Sequence, residues 1–307
     1  MSVGASDWSI WTFCYALGRL PYDFLSGSPI NSNRGMVEVP MIVSLLKSAR
    51  GDLVLVDTGF REGASMTGRR FENFVRSDEL LRRFGFDPAA IATLVLTHMH
   101  FDHAGNLPGF PNARIYLQRL EYQGWKEALA RYGAGAATKD HWVYSSLNLD
   151  DFAALERAMA EGRVELLDGD AEPAPGVRCH LARDTHTFGS QWLEVATARG
   201  AFVLAGDCCY TFQNLERMWP PGYLQGDTWK MLRAFEDMKR VAGADLARLV
   251  PGHDIELFAR YPSGTRDGVR FIEAHLAAGH ASLLGGTGGN GRPPARPAGN
   301  DPHRSKR

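Results

Sequence analysis

The chain has 307 residues, 34 Lys+Arg against 35 Asp+Glu, a formal net charge of -1, and 44% hydrophobic residues. That composition supports a sizeable core and excludes a fibrous or wholly disordered chain. The balanced charge offers no global attraction for nucleic acid or an anionic membrane, so neither is expected as a partner.

The best apolar run, 41–46, has the length of a strand and falls far short of the roughly 18 to 20 residues of a membrane-spanning helix. The start of the chain, with Asp7, Trp8 and Trp11 and no basic leader before an apolar block, does not read as a signal peptide, and a cytoplasmic location is the default expectation. The four cysteines, Cys14, Cys179, Cys208 and Cys209, show no CxxC spacing, which argues against a disulfide framework and against a thiolate zinc site.

In chain order, runs rich in Val, Ile and Leu predict strands at 39–46, 53–57, 93–97 and 114–117. A helix is expected from Leu120 through Trp125, Leu129 and Tyr132 to Gly133, and another from Asp151 through Leu155 and Met159 to Gly162. Strands follow at 164–167, 192–197 and 202–205. A helix capped by Asp227 or Thr228 then places Leu232, Phe235, Met238 and Val241 on one face before Gly243, and a strand covers 246–250. This alternation predicts a layered α/β architecture, and the paired strands around 177–205 favour mixed sheets over one parallel sheet. The Gly- and Pro-rich segment 284–307 reads as a disordered tail after a single folded domain spanning 1–283.

The ten histidines are unevenly placed. His98, His100, Asp102 and His103 follow the strand 93–97 directly. Alternate side chains of extended backbone share a side, so His98 and His100 can chelate one metal while Asp102 and His103, at the turn, face a second. Imidazole and carboxylate at this density suit zinc or a neighbouring divalent ion. Candidates to complete the sets stand at other strand ends: His186, Asp207 after the strand 202–205, and His253 after 246–250. One metal can take His98, His100 and His186, the other Asp102, His103 and His253, with Asp207 bridging.

With these residues in this order, the sequence resembles the dinuclear metallo-β-lactamase-fold hydrolase superfamily, and Val56-Asp57-Thr58-Gly59 is similar to that family's early strand and turn. Asp207-Cys208-Cys209-Tyr210-Thr211 and Gly252-His253-Asp254 resemble the N-acyl homoserine lactonase branch. The resemblance implies a four-layer αβ/βα sandwich with the site between two sheets. It also implies Tyr210 as a phenol donor to substrate or oxyanion. The branch usually has Pro-Gly-His-Thr where this chain has Asp184-Thr185-His186-Thr187, so the loop and pocket wall there are expected to differ.

Two divalent ions carry about +4, which Asp102, Asp207 and a bridging hydroxide reduce to near +1 by formal counting. Such a centre lowers the pKa of bound water and polarises a carbonyl. Leaving-group protonation could fall to Asp102 or to a metal-bound water. The favoured activity is opening of a lactone ring such as an acyl homoserine lactone, with a small neutral substrate bearing an apolar part. The alternatives are hydrolysis of another ester, a thioester, an amide or a phosphoester, hydrolytic dehalogenation, and, outside catalysis, metal-retaining binding. Asp57 can orient a metal histidine or cap the turn at Thr58-Gly59. His141, His180, His275, His280 and His303 lack such spacing and read as ordinary surface or buried histidines. The arginines between 61 and 83, with acids interspersed, read as a solvated face. Trp8, Trp11, Phe13, Tyr22, Phe24, Trp142, Tyr144, Trp219 and Tyr223 are core side chains first, with a substrate pocket or a homodimer contact as the other uses.

Overall fold

The computed structural model describes residues 7–27, 33–61, 71–133, 145–243 and 245–285. His141, Trp142, Tyr144, His303 and residues 286–307 of the expected tail lie outside them.

Strand β1 (Trp8–Pro21) leads through the short helix α1 (Tyr22–Leu25) to β2 (Met36–Ser48), which returns antiparallel to it. Hydrophobic runs alone did not predict β1, because its Trp, Thr, Phe and Tyr residues are not a continuous aliphatic run. Both its faces are covered: Trp11, Phe13 and Tyr15 enter one core while Trp8 and Ile10 enter another, and none of the five is more than 2% exposed. These aromatics therefore pack the interior.

Strands β3 (Leu53–Val56), β4 (Thr93–Val95), β5 (Arg114–Gln118) and β6 (Val164–Leu167) continue this sheet in parallel. The chain then builds a second sheet from β7 (Ala171–Ala174), β8 (Val177–Arg183), β9 (Gly189–Val195), β10 (Phe202–Leu204) and β11 (Leu249–Val250). It returns to the first sheet as β12 (Ser263–Arg266) and β13 (Val269–His275). The strand orders are β12-β13-β1-β2-β3-β4-β5-β6 and β11-β10-β9-β8-β7, and both sheets are mixed.

The helices are α2 (Ser77–Arg83), α3 (Phe101–Ala104), α4 (Arg119–Ala128), α5 (Leu149–Ala160), α6 (Phe212–Arg217), α7 (Thr228–Ala242) and α8 (Leu257–Arg260). Leu55 of β3 packs with Leu80, Leu81 and Leu155 of α2 and α5. Its neighbours Val54 and Val56 face the other way, into a core shared with Leu193 and Phe202 of the second sheet and Phe235 of α7. Helix, sheet, sheet and helix thus form the four layers. Full burial of a side chain such as Phe235 or Met238 contributes roughly 1.5–3 kcal/mol, which holds α7 on the second sheet.

Several boundaries move for local reasons. Helix α5 begins at Leu149, two residues ahead of the predicted start, because the Asn148 side chain accepts the Asp150 N–H as cap. Helix α4 stops at Ala128 and continues as one π-helical turn, Leu129–Gly133, in which Tyr132 is 54% exposed and has little to bury. In α7 the Asp227 cap holds, but the buried face is Met231, Ala234, Phe235, Met238 and Ala242, with Leu232 and Val241 only partly covered. The arginine-bearing face includes α2, whose Arg76 and Arg82 side chains are half exposed and grip the buried Asp78, while Leu80 and Leu81 on its other side enter the core; residues 62–70 of that segment lie outside the described chain. Among the described residues, no helix is long and apolar enough to cross a membrane.

Candidate metal centre

Parallel pairing of β3 with β4 and of β10 with β11 sets the C-terminal ends of these strands side by side, two from each sheet. Asp57 leaves β3, His98 and His100 leave β4, and His100 is the N-cap of α3, whose single turn carries Asp102 and His103. Asp207 sits in the 3-10 turn Gly206–Cys208 after β10, and His253 follows β11. The connection between β8 and β9 supplies His186.

The seven residues gather into two adjoining groups able to hold metal ions: His98, His100, His186 and Asp207, and Asp102, His103 and His253. Asp207 faces both. Its Oδ2 lies 3.2 Å from His186 Nε2 and 3.6 Å from His98 Nε2, and its Oδ1 lies 3.1 Å from His103 Nε2 and 3.0 Å from His253 Nε2. Asp102 Oδ2 stands 3.7 Å from both His103 Nε2 and His253 Nε2. The Nδ1 of His100 is 2.9 Å from His186 Nε2.

The far ring nitrogens of four of the five histidines are tied to the protein, which decides which nitrogen of each faces inward, while His186 Nδ1 is buried with no hydrogen bond among the described residues. His103 Nδ1 donates to Asp57 Oδ2 at 2.8 Å, His253 Nδ1 to the Pro40 carbonyl at 3.0 Å, and His100 Nε2 to Gln225 Oε1 at 2.8 Å. His98 Nδ1 donates to Thr97 Oγ1 at 3.1 Å, and that hydroxyl donates to Asp57 Oδ2. Asp57 also accepts the Thr97 N–H, so its side chain serves His103 and the β4 end and does not cap the Thr58-Gly59 turn. Of these supports, Thr97 adjoins His98 and was open to notice; Pro40 and Gln225 carry no local signal.

Burial pushes His98 and His100 well below the ordinary histidine value, and neighbouring rings push the same way. Burial also disfavours charge on His103 and His253, but the carboxylates, Asp207 first, raise both. Asp207 is itself opposed by burial, yet the rings of His103, His253 and His186 hold its carboxyl well below the usual range. His98 Nε2, His103 Nε2 and Asp207 Oδ1 are buried and make no hydrogen bond within the described residues. Such inward atoms are costly unless a partner meets them. Imidazole and carboxylate donors around a buried anion fit divalent cations of the zinc type.

Aromatic rings adjoin the centre. Tyr210 is 2% exposed, with its ring 5.5 Å from that of His186 and 5.3 Å from that of His253. Phe24 stacks between Tyr210 and Tyr223 at 5.9 and 4.9 Å. The segment bearing Tyr223 is hydrogen-bonded on one side to the Phe24 carbonyl and on the other to those of Asp184 and His186. Gly226 permits this approach, since a Cβ there would meet the Thr185 carbonyl oxygen at 2.1 Å. The Asp184 carboxylate turns outward to Lys230 of α7 at 2.7 Å, so the unusual acid does not enter the centre. Cys208 and Cys209 are buried free thiols. His180 and His275 pair with carboxylates away from the site.

A buried histidine and aspartate cluster at strand ends between two mixed sheets is a centre able to hold divalent metal ions. Residues 42–253 match the family model of the metallo-beta-lactamase superfamily, and the chain belongs to that superfamily. It is similar to N-acyl homoserine lactonase AiiA of Bacillus thuringiensis subsp. kurstaki, at 26% identity over 253 residues covering 78% of this chain and 91% of that one. N-acyl homoserine lactonase AttM of Rhizobium johnstonii is 28% identical over 181 residues, 57% of this chain and 62% of its own. A crystal structure of a quorum-quenching N-acyl homoserine lactone lactonase superposes with a TM-score of 0.60 at 25% identity, covering 81% of this chain and 92% of that one.

Proposed function

We propose that the protein opens a lactone ring, an N-acyl homoserine lactone or a related compound, with two divalent cations, zinc by preference. His98, His100 and His186 would hold one ion and Asp102, His103 and His253 the other, with Asp207 between them. The observation that carries this reading is that the two oxygens of Asp207 face separate sets of ring nitrogens. Two such cations supply hydroxide at neutral pH and polarise a carbonyl.

The chain's own groups do the rest. Tyr210, beside His186 and His253, gives its phenol to the substrate carbonyl as charge develops on oxygen. Asp102 is the most exposed carboxylate of the cluster, at 12% against 4% for Asp207; it would take the proton of the hydroxyl group that has added to the carbonyl carbon and pass it to the departing alkoxide. Phe24 and Tyr223 offer an aromatic surface to the apolar part of the substrate. The relatives named above are lactonases, which favours this ring over other esters. A pH-monitored screen of lactones differing in ring size and acyl length, beside thioesters, phosphoesters and halogenated aromatics, tests the reading. Hydrolysis of lactones, abolished by chelator, is expected; turnover only of another class overturns it.

A further inference from the structure

Glu121 lies in the first turn of α4 and is 0% exposed. Its Oε1 accepts the Met99 N–H at 2.9 Å and the Trp125 indole N–H at 2.8 Å. Its Oε2 accepts the Thr187 hydroxyl at 2.7 Å and the Gly189 N–H at 2.8 Å. Met99 stands between His98 and His100, and Thr187 directly follows His186. One carboxylate therefore joins the two segments that carry the histidines of the first group. Trp125, bound to the same oxygen as Met99, lies edge-on against the His100 ring at 5.9 Å.

The backbone is shaped for this contact. A Cβ at Gly189 would stand 2.4 Å from the Glu121 nitrogen, so a larger residue would force α4 away from the loop. All four donors converge on a group that accepts without donating, which an amide or an apolar residue cannot reproduce. The second group has other supports, Asp57 on His103 and the Pro40 carbonyl on His253.

We infer that Glu121 is a positioning residue that fixes the spacing between the His98–His100 segment and the His186 loop, and so the geometry of one ion site and not the other. This rests on the two-ion reading. Its test is a cobalt(II) titration of the metal-free protein, followed by visible spectroscopy and chelator competition, with thermal melting alongside. In Glu121→Gln the amide NH2 faces donors on one side. One ion should weaken at least about tenfold with an altered spectrum, while the other binds as in the parent. Thr187→Val removes one of the four bonds and should shift the same ion less, even if Glu121→Gln folds poorly. Unchanged affinities and spectrum in both variants, or equal weakening of both ions, would overturn the inference. Fewer than two ions in the parent would count against the two-ion reading alone; Glu121 would then be judged on whether the remaining ion is weakened.

Discussion

Asp57 offers a quantitative test of how the centre is held. Its φ of 62° lies in the left-handed region, which asparagine tolerates nearly as well, so Asp57→Asn adds little backbone strain. The remaining oxygen can still accept the Thr97 N–H now bound at 2.7 Å by Oδ1. The new NH2 would then face His103 Nδ1, which donates to Oδ2 at 2.8 Å in the parent. Two donors repel, and His103 relieves the conflict by moving its proton to Nε2, the nitrogen that faces Asp207. A hydrogen bond to a charged group is worth about 1.5–3 kcal/mol, which corresponds to a loss of roughly 10- to 100-fold in affinity for the ion at His103. Chelator competition at neutral pH reads this directly, with circular dichroism to check the fold. Binding of both ions within twofold of the parent, in a folded variant, would refute the assignment of Asp57 as the group that orients His103.

Metal analysis of purified protein should find about two ions per chain, and none or one after metal-replete expression would sink the dinuclear reading. Asp207→Ala should abolish turnover, and an unchanged rate would remove its bridging role. Tyr210→Phe should lower kcat on the order of 10- to 100-fold with metal content unchanged; full activity would rule out the phenol as donor. Burial opposes ionisation of Asp78, but bonds from Arg76, Asn106 and Arg82 outweigh it and hold its carboxyl below the ordinary value. A carboxyl with a depressed folded pKa contributes stability above its unfolded pKa of about 4 and loses it as pH falls through the folded value. Asp78→Asn should therefore cost about 1–3 kcal/mol at neutral pH, and the gap to the parent in urea unfolding should narrow below about pH 4. A constant gap would contradict the ionic account.

The histidine cluster was legible because its ligand types are crowded into six positions after a strand, a density that packing does not explain. Strands such as β3 and β10 were legible as short aliphatic runs buried on both faces. The signal failed where burial depends on distant partners. β1 reads as scattered aromatics until β2 and β13 flank it. Gln225 meets His100 across 125 residues, and Glu121 meets Thr187 across 66, so neither spacing announces a role. Asp184 shows the converse: sequence marks it as a change in the pocket wall, but left-handed backbone at φ 49° and Lys230 take its charge to the surface.

Each ligand group draws on both sheets: His98 and His100 with His186 and Asp207, and Asp102 and His103 with His253. An ion seated in either group would act as a cross-link between the two halves of the sandwich, joining stretches of chain that otherwise meet through side-chain packing and a few hydrogen bonds such as that from the Gln191 N–H to the Thr97 carbonyl. Catalytic loading and mechanical cohesion would then be a single equilibrium. Free metal at about 100 times its dissociation constant adds roughly 2.7 kcal/mol to folding, so stripping the ions would loosen the seam at the same moment that it silences the reaction.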